Sequence, residues 1–196
     1  MPADQPPDHS RDEPPDEPLP RLWLLSDARN DALLESALAR LPRGGGFIYR
    51  HYHLPPPERH ARFRQLARLA RARSHLVILA GPGTTAHAWG ADGIYAPPRA
   101  LGPRRAGLLR LATAHDLREI ARARRAGAHA VLLSPVFPTR SHPGASSLGP
   151  IGFRLLAARA GLPVIALGGM TCARARRLAP PGEASLHWAA IDGLVR

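Results

Sequence analysis

Short apolar runs alternate with amphipathic stretches rich in Ala, Leu and Arg from Arg21 to the end of the chain. Apolar runs that lack a polar alternation read as parallel strands, because such strands are covered on both faces. Eight runs fit that description: Leu22–Ser26, Phe47–Arg50, Leu76–Ala80, Gly93–Tyr95, Leu108–Thr113, Ala130–Leu133, Val164–Leu167 and Ala184–His187. Between them, helical patterning or propensity predicts helices over Asp31–Leu41, Pro57–Arg73, Thr84–Trp89, Leu117–Ala126, Gly152–Ala160 and Cys172–Leu178. The Pro-rich piece Ala96–Gly107 has room only for a short helical turn. Asp116 and Thr171 stand where N-caps belong, and Gly127 stands where a helix ends in a left-handed residue. Eight strands alternating with helices predict an α/β fold, a single-domain (β/α)8 TIM barrel, with a doubly wound sheet as the competing arrangement.

Residues Met1–Pro20 depart from this rhythm. They hold seven prolines and six acids with almost nothing apolar, so they are expected to form a disordered tail ahead of a barrel spanning 21–196.

Composition changes the picture in a few places. The chain has 196 residues and a formal net charge of +12, yet it contains no Lys, so all 27 basic side chains are Arg. These arginines sit at mixed spacings on the helical segments, and aromatics make up only 5%, so no stacking platform for nucleic acid emerges. A solvated basic surface is the expectation. No apolar run approaches the roughly 20 residues of a membrane span, and the N-terminus lacks a leader pattern. Cys172 is the single cysteine, expected as a small, partly buried residue in a reducing compartment, and the chain is expected in the cytoplasm. Oligomeric state stays open, a homo-oligomer included.

Candidate chemistry gathers at two strand ends. The run Ala130–Leu133 stops at Ser134-Pro135 and opens into a loop of Thr, Ser, His, Gly and Pro, where Thr139, Ser141 and His142 are candidates for anion or substrate contact. The run Val164–Leu167 stops at Gly168-Gly169, a pair that lets backbone approach a phosphate closely. On the second strand, period-two alternation places Ile48, Arg50 and Tyr52 on one face. Arg50 therefore either meets a phosphate or carboxylate inside the barrel or pairs with a neighbouring carboxylate. His51 and His53 share the other face, without a third ligand at metal-site spacing. Asp92, His187 and Trp188 read as structural.

The segments SPVFPTRS (Ser134–Ser141), Leu148-Gly149 and PVIALGGM (Pro163–Met170) resemble the thiamine-phosphate synthase and thiazole tautomerase superfamily. Gly90–Ile94 and Thr113-Ala114-His115 fall in the same order at that family's spacing. The resemblance implies a TIM barrel acting in thiamine metabolism. It implies a thiazole phosphate held on backbone N–H groups at Gly168-Gly169 and, past the eighth strand, at Ala189-Ala190-Ile191, with Thr113 beside the substrate. His115 matches the tautomerase branch's acid–base histidine, a role that suits an imidazole titrating near neutrality.

The synthase branch joins a pyrimidine diphosphate to a thiazole phosphate with Mg²⁺ on the departing diphosphate. At the positions matching that branch's metal carboxylates and lysines, this chain carries Ala80-Gly81, Ala100, Tyr52 and His142. The expected activity is therefore proton transfer on, or binding of, a phosphorylated thiazole, with no cofactor required. Two alternatives stand beside it. One is a synthase with a rebuilt diphosphate site using Arg50, Arg140 and His142, for which Mg²⁺ would be needed. The other is a non-catalytic barrel binding a phosphometabolite or a partner.

Overall fold

Each apolar run pairs in parallel with the next one along the chain, and the last returns to the first. In the computed structural model, which describes residues 18–140, 144, 146–179, 186–192 and 194, the strands close as β1-β2-β3-β4-β5-β6-β7-β8. They are β1 (Leu22–Leu25), β2 (Gly46–Tyr49), β3 (Leu76–Ala80), β4 (Gly93–Ala96), β5 (Leu109–Ala114), β6 (Ala130–Leu133), β7 (Val164–Ala166) and β8 (His187–Ala190). The helices between them are α1 (Leu34–Arg40), α2 (Pro56–Arg71), α3 (Gly83–Ala88), α4 (Leu117–Arg125), α5 (Gly149–Ala158) and α6 (Cys172–Leu178). This closed ring of parallel strands is the TIM barrel, and it excludes the doubly wound sheet.

Alternation along each strand sorts the core into two layers. Trp23, Leu25, Ile48, Ile78, Leu111 and Leu132 fill the barrel interior. Leu24, Phe47, Tyr49, Val77, Leu79 and Val131 face the helices. The large indole of Trp23 fits only because β2 opens with Gly46, where an added Cβ would lie 2.0 Å from the Trp23 ring.

Local capping follows the sequence closely. Asp116 accepts the Glu119 N–H at 2.7 Å, and Thr171 accepts the Arg174 N–H at 3.3 Å. Gly127 ends α4 with φ +71°. The first helical segment starts earlier than expected. Asp27 caps a 3-10 turn over Ala28–Leu33 that runs into α1, and Asn30 returns the bond to the Asp27 N–H at 2.8 Å. Between β4 and β5 only one short 3-10 turn forms, Pro98–Ala100.

Several element limits shift by one to three residues, and two differences matter for the fold. The eighth strand was expected over Ala184–His187 and is found at His187–Ala190. Its side chains alternate, with Trp188 packing against the helical layer and Ala189 entering the interior, so small residues conceal the pattern. The expected tail also ends sooner. Leu19 packs against the interior cluster, and the Pro20 carbonyl accepts from Trp23 Nε1 at 2.7 Å and bonds His187 Nδ1 at 3.0 Å. Pro20 thus closes the floor of the barrel at the N-terminal ends of β1 and β8. Residues 1–17 of that tail lie outside the described residues.

Arg110 is 2% exposed at the start of β5 and has no acidic partner among the described residues. Its guanidinium instead donates to five carbonyls, those of Leu101, Gly102, Pro103, Ala126 and Gly127, at 2.8–3.3 Å. It ties the end of α4 to the loop that precedes β5.

Candidate functional site

The C-terminal ends of the strands open into a cavity of about 870 Å³. Parallel barrels place their ligand sites at this end, because the loops that follow the strands surround it. Of the residues expected at the site, Arg50, Thr113, His115, Thr139, Gly168, Gly169 and Ala190 line this cavity. Ser141 and His142 lie outside the described residues.

Gly168 and Gly169 have φ of +96° and +60°, and space denies them a side chain as well. A Cβ on Gly168 would lie 2.7 Å from Pro135 Cα, and one on Gly169 would lie 2.5 Å from the Pro138 carbonyl oxygen. The loop after β6 thus lies directly on the end of β7, with the Phe137 N–H donating to the Gly168 carbonyl at 3.1 Å. The N–H groups of Gly168 and Gly169 donate to no acceptor among the described residues. Arg174 stands beside them, donating to the Gly169 carbonyl and resting 4.8 Å from the Phe137 ring centre.

His115 follows β5, and its ring is oriented by the backbone. Nδ1 lies 2.5 Å from the Ser134 carbonyl oxygen. A carbonyl only accepts, so Nδ1 carries the proton in the neutral ring, and Nε2 is left with its lone pair. Nε2 has no partner among the described residues. Glu119, in the first turn of α4, accepts the His115 backbone N–H at 2.8 Å.

On the opposite side, Arg50 leaves the end of β2. Its N–H donates to Ser26 Oγ at 2.7 Å, and its carbonyl accepts from Arg59 Nη2 at 2.8 Å. The Arg50 guanidinium has no ion-pair partner among the described residues and lies 5.7 Å from the Tyr52 ring centre. Tyr95, on β4, was not anticipated from the sequence. It is 8% exposed, lines the cavity and has no hydrogen-bond partner for its hydroxyl among the described residues. Burial holds that hydroxyl protonated, well above the usual phenol range, with the Arg50 charge pulling weakly the other way. Its signal in the sequence was parity, since Gly93 and Tyr95 share the inward face of β4.

Behind Arg50 runs a chain of polar groups, buried at Ser26 and His51 and reaching solvent at Asp31. His51 Nδ1 is 2.7 Å from Ser26 Oγ, and its Nε2 is 2.7 Å from Asp31 Oδ1. Burial pushes the His51 imidazole down, against the bond and charge of Asp31. Burial would raise the Asp31 carboxyl, but the bonds from His51 and Arg62 hold it below its ordinary value. The His51 and His53 rings lie 5.0 Å apart, tilted by 41°.

Two expectations change. Ala189 and Ala190 sit within β8 rather than past it, with Ala189 buried in the barrel interior. Ala190, with Ile191 and Asp192 beyond it, lines the cavity, and no helix N-terminus follows β8 among the described residues. Cys172 is exposed rather than partly buried, and it lines the cavity at the first residue of α6.

This arrangement has known relatives. The family model for thiamine monophosphate synthase matches residues 22–190. The chain belongs to that family. It is 34% identical over 183 residues to the thiamine-phosphate synthase of Chromobacterium violaceum, covering 87% of this chain and 83% of that one. Among solved structures, it is similar to the thiamine phosphate pyrophosphorylase from Pyrococcus furiosus. The TM-score is 0.69 at 25% identity, with 87% of this chain and 84% of that one covered. The pyrophosphorylase from Bacteroides thetaiotaomicron, at 12% identity and a TM-score of 0.57 over 88% of this chain and 82% of that one, shows the shared fold alone.

Within this barrel of the thiamine monophosphate synthase family, the described residues do not fit a Mg²⁺-diphosphate centre. Asp192 is the one carboxylate among the described cavity-lining residues, and Arg29 lies 3.5 Å from it. No group of three His, Cys, Asp or Glu among the described residues is placed to hold a metal. A hard divalent cation takes oxygen ligands, and the single carboxylate that the described residues bring to this cavity already faces Arg29.

No helix among the described residues is long and apolar enough to cross a membrane.

Proposed function

We propose that the cavity binds a phosphorylated thiazole and moves a proton on it through His115. The observation that carries this reading is the tautomer of His115. Its Nδ1–H is spent on the Ser134 carbonyl, so Nε2 offers a lone pair at the cavity. An isomerisation needs one group that takes a proton from one substrate atom and returns it to another, and an imidazole held in a single tautomer meets that need. The unpartnered N–H groups of Gly168 and Gly169 suit the phosphate, since backbone donors bind it with little dependence on side chains. Thr113 and Thr139 line the same space as further polar contacts.

A second reading is favoured by the curated relative, which is named a thiamine-phosphate synthase. In that reaction the pyrimidine methylene bonds to the thiazole nitrogen as diphosphate departs. Here Arg50 and Arg140 would face the leaving group beside Mg²⁺.

Phosphorus-31 NMR with pyrimidine diphosphate, thiazole phosphate and Mg²⁺ separates the two readings. Free diphosphate would establish the synthase. A change in the thiazole phosphate signal without diphosphate, with turnover abolished in His115→Ala, supports proton transfer. Binding that persists unchanged in His115→Ala with no turnover in the unsubstituted chain would leave a non-catalytic barrel and sink the proposal.

A further inference from the structure

The cavity occupies one pole of the barrel, and the opposite pole is cationic. There the chain enters its strands, and an exposed Arg stands at six of the eight entrances. They are Arg21 before β1, Arg43 before β2, Arg71 before β3, Arg104 before β5, Arg125 before β6 and Arg159 before β7. Asp92, before β4, is the one acid in these connections among the described residues. It accepts the Val77 N–H at 2.7 Å and lies 3.9 Å from Arg71. Helix ends account for part of this placement, because a helix C-terminus favours a nearby cation. Each such end carries only about half a negative charge, so the pole keeps a large positive excess.

The acids that would balance it are concentrated in one stretch of the chain. Residues 1–17 hold six acids and one Arg, Arg11, which leaves a net charge of −5. They join the body at this same pole, since Leu19 packs against the interior cluster and the Pro20 carbonyl bonds Trp23 and His187. At about 3.1 Å per residue for a Pro-rich extended chain, such a segment reaches roughly 50 Å, against roughly 40 Å across a body of this size. Tethering also supplies a local concentration in the millimolar range, which lets many weak exposed ion pairs act together.

We propose that the arginine pole is the docking surface for the chain's own acidic segment, Met1–Glu17, which lies across it and keeps outside polyanions off the barrel. The contact is ionic and spread over many side chains, so it loosens when the Debye length shrinks to about 3 Å in 1 M salt. The mouth, at the other pole, stays open to its ligand.

The test places a nitroxide on the full chain through Ala3→Cys in a Cys172→Ser background and reads backbone amide signals by NMR. Gly44 and Gly127 mark the pole, and Gly168 and Gly169 mark the mouth. At about 50 mM salt the pole signals are expected to lose more than half their intensity while the mouth signals keep theirs. The pole signals should recover in 1 M salt. They should also recover in the combined variant Asp4→Asn, Asp8→Asn, Asp12→Asn, Glu13→Gln, Asp16→Asn, Glu17→Gln. That variant keeps the tether and removes only its negative charge, so it separates docking from proximity. It is also expected to bind inorganic polyphosphate about tenfold more tightly than the parent chain, because no tethered competitor covers the pole. Signal loss that survives both salt and neutralisation, or that falls on Gly168 and Gly169, would overturn the docking. Equal polyphosphate affinity in the two chains would show a pole open to any polyanion and would overturn the shielding.

Discussion

Ser26 holds Arg50 by its backbone: Oγ accepts the Arg50 N–H at 2.7 Å while lying 2.7 Å from His51 Nδ1. The hydroxyl therefore serves the two residues that follow β2 from the position just past β1, and it does so with no exposure to solvent. In the neutral chain of groups, Ser26 donates its hydroxyl proton to His51, and His51 donates Nε2–H to Asp31. The direction of each bond is fixed by the carboxylate at the far end.

Ser26→Ala should lower stability by about 1–3 kcal/mol, because it leaves the Arg50 N–H and His51 Nδ1 buried without their partner. Urea unfolding checks the loss. Titration with diphosphate checks whether the displaced Arg50 also binds more weakly, which is the expected companion effect.

Acid should destabilise the fold well before the carboxylates titrate. Burial lowers the imidazoles of His51, His75 and His129 below the ordinary 6.5. Below about pH 6.5 the unfolded chain takes up protons that the folded chain refuses, so stability is full above that pH and falls as pH drops through it. Each group contributes at most about 1.4 kcal/mol per pH unit over its interval. Urea midpoints at pH 7.5, 6.0 and 5.0 should decline in that order, and a flat profile would refute the assignment. Asp31 and Glu35, held low by Arg62 among other groups, add a second loss only in the acid range below the carboxylate values.

Arg110→Met should destabilise by roughly 3 kcal/mol, since five carbonyls lose a charged donor in a buried place. Arg110→Lys should rescue only a fraction, because one ammonium cannot span the planar fork that reaches both the α4 end and the preceding loop. Thermal unfolding of both variants distinguishes this from a simple loss of charge.

Gly168→Ala should cost more than 1 kcal/mol and disturb the site as well. The new methyl group would press on Pro135 in a left-handed backbone position, so the loop after β6 must lift off β7. A raised dissociation constant for phosphate monoesters, accompanied by a lower melting temperature, is the expected result.

Much of this architecture was legible because strands buried on both faces announce themselves as apolar runs. β3 and β6 match their predicted limits to the residue. β8 escaped because His187–Ala190 places one indole outward and one methyl inward, a pattern with little hydrophobic signal. Arg50 was legible by parity, and the motif around Thr113 and His115 by resemblance. Tyr95 was not, because an aromatic residue ending a strand reads as core until the cavity above it is seen. The Ser26–His51–Asp31 chain was equally hidden, as three polar residues gain meaning only when β1, β2 and the 3-10 turn converge.

The floor formed at Pro20 has a practical consequence. The chain enters the barrel beneath β1 and β8, at the end opposite the strand termini that bear Arg50, His115 and Gly168. An attachment made ahead of Pro20, whether an affinity handle, a fluorophore or a sensor surface, joins the body on its far pole. Protein tethered in that way presents its mouth to the solution, and binding measured on a chip should agree with binding measured free.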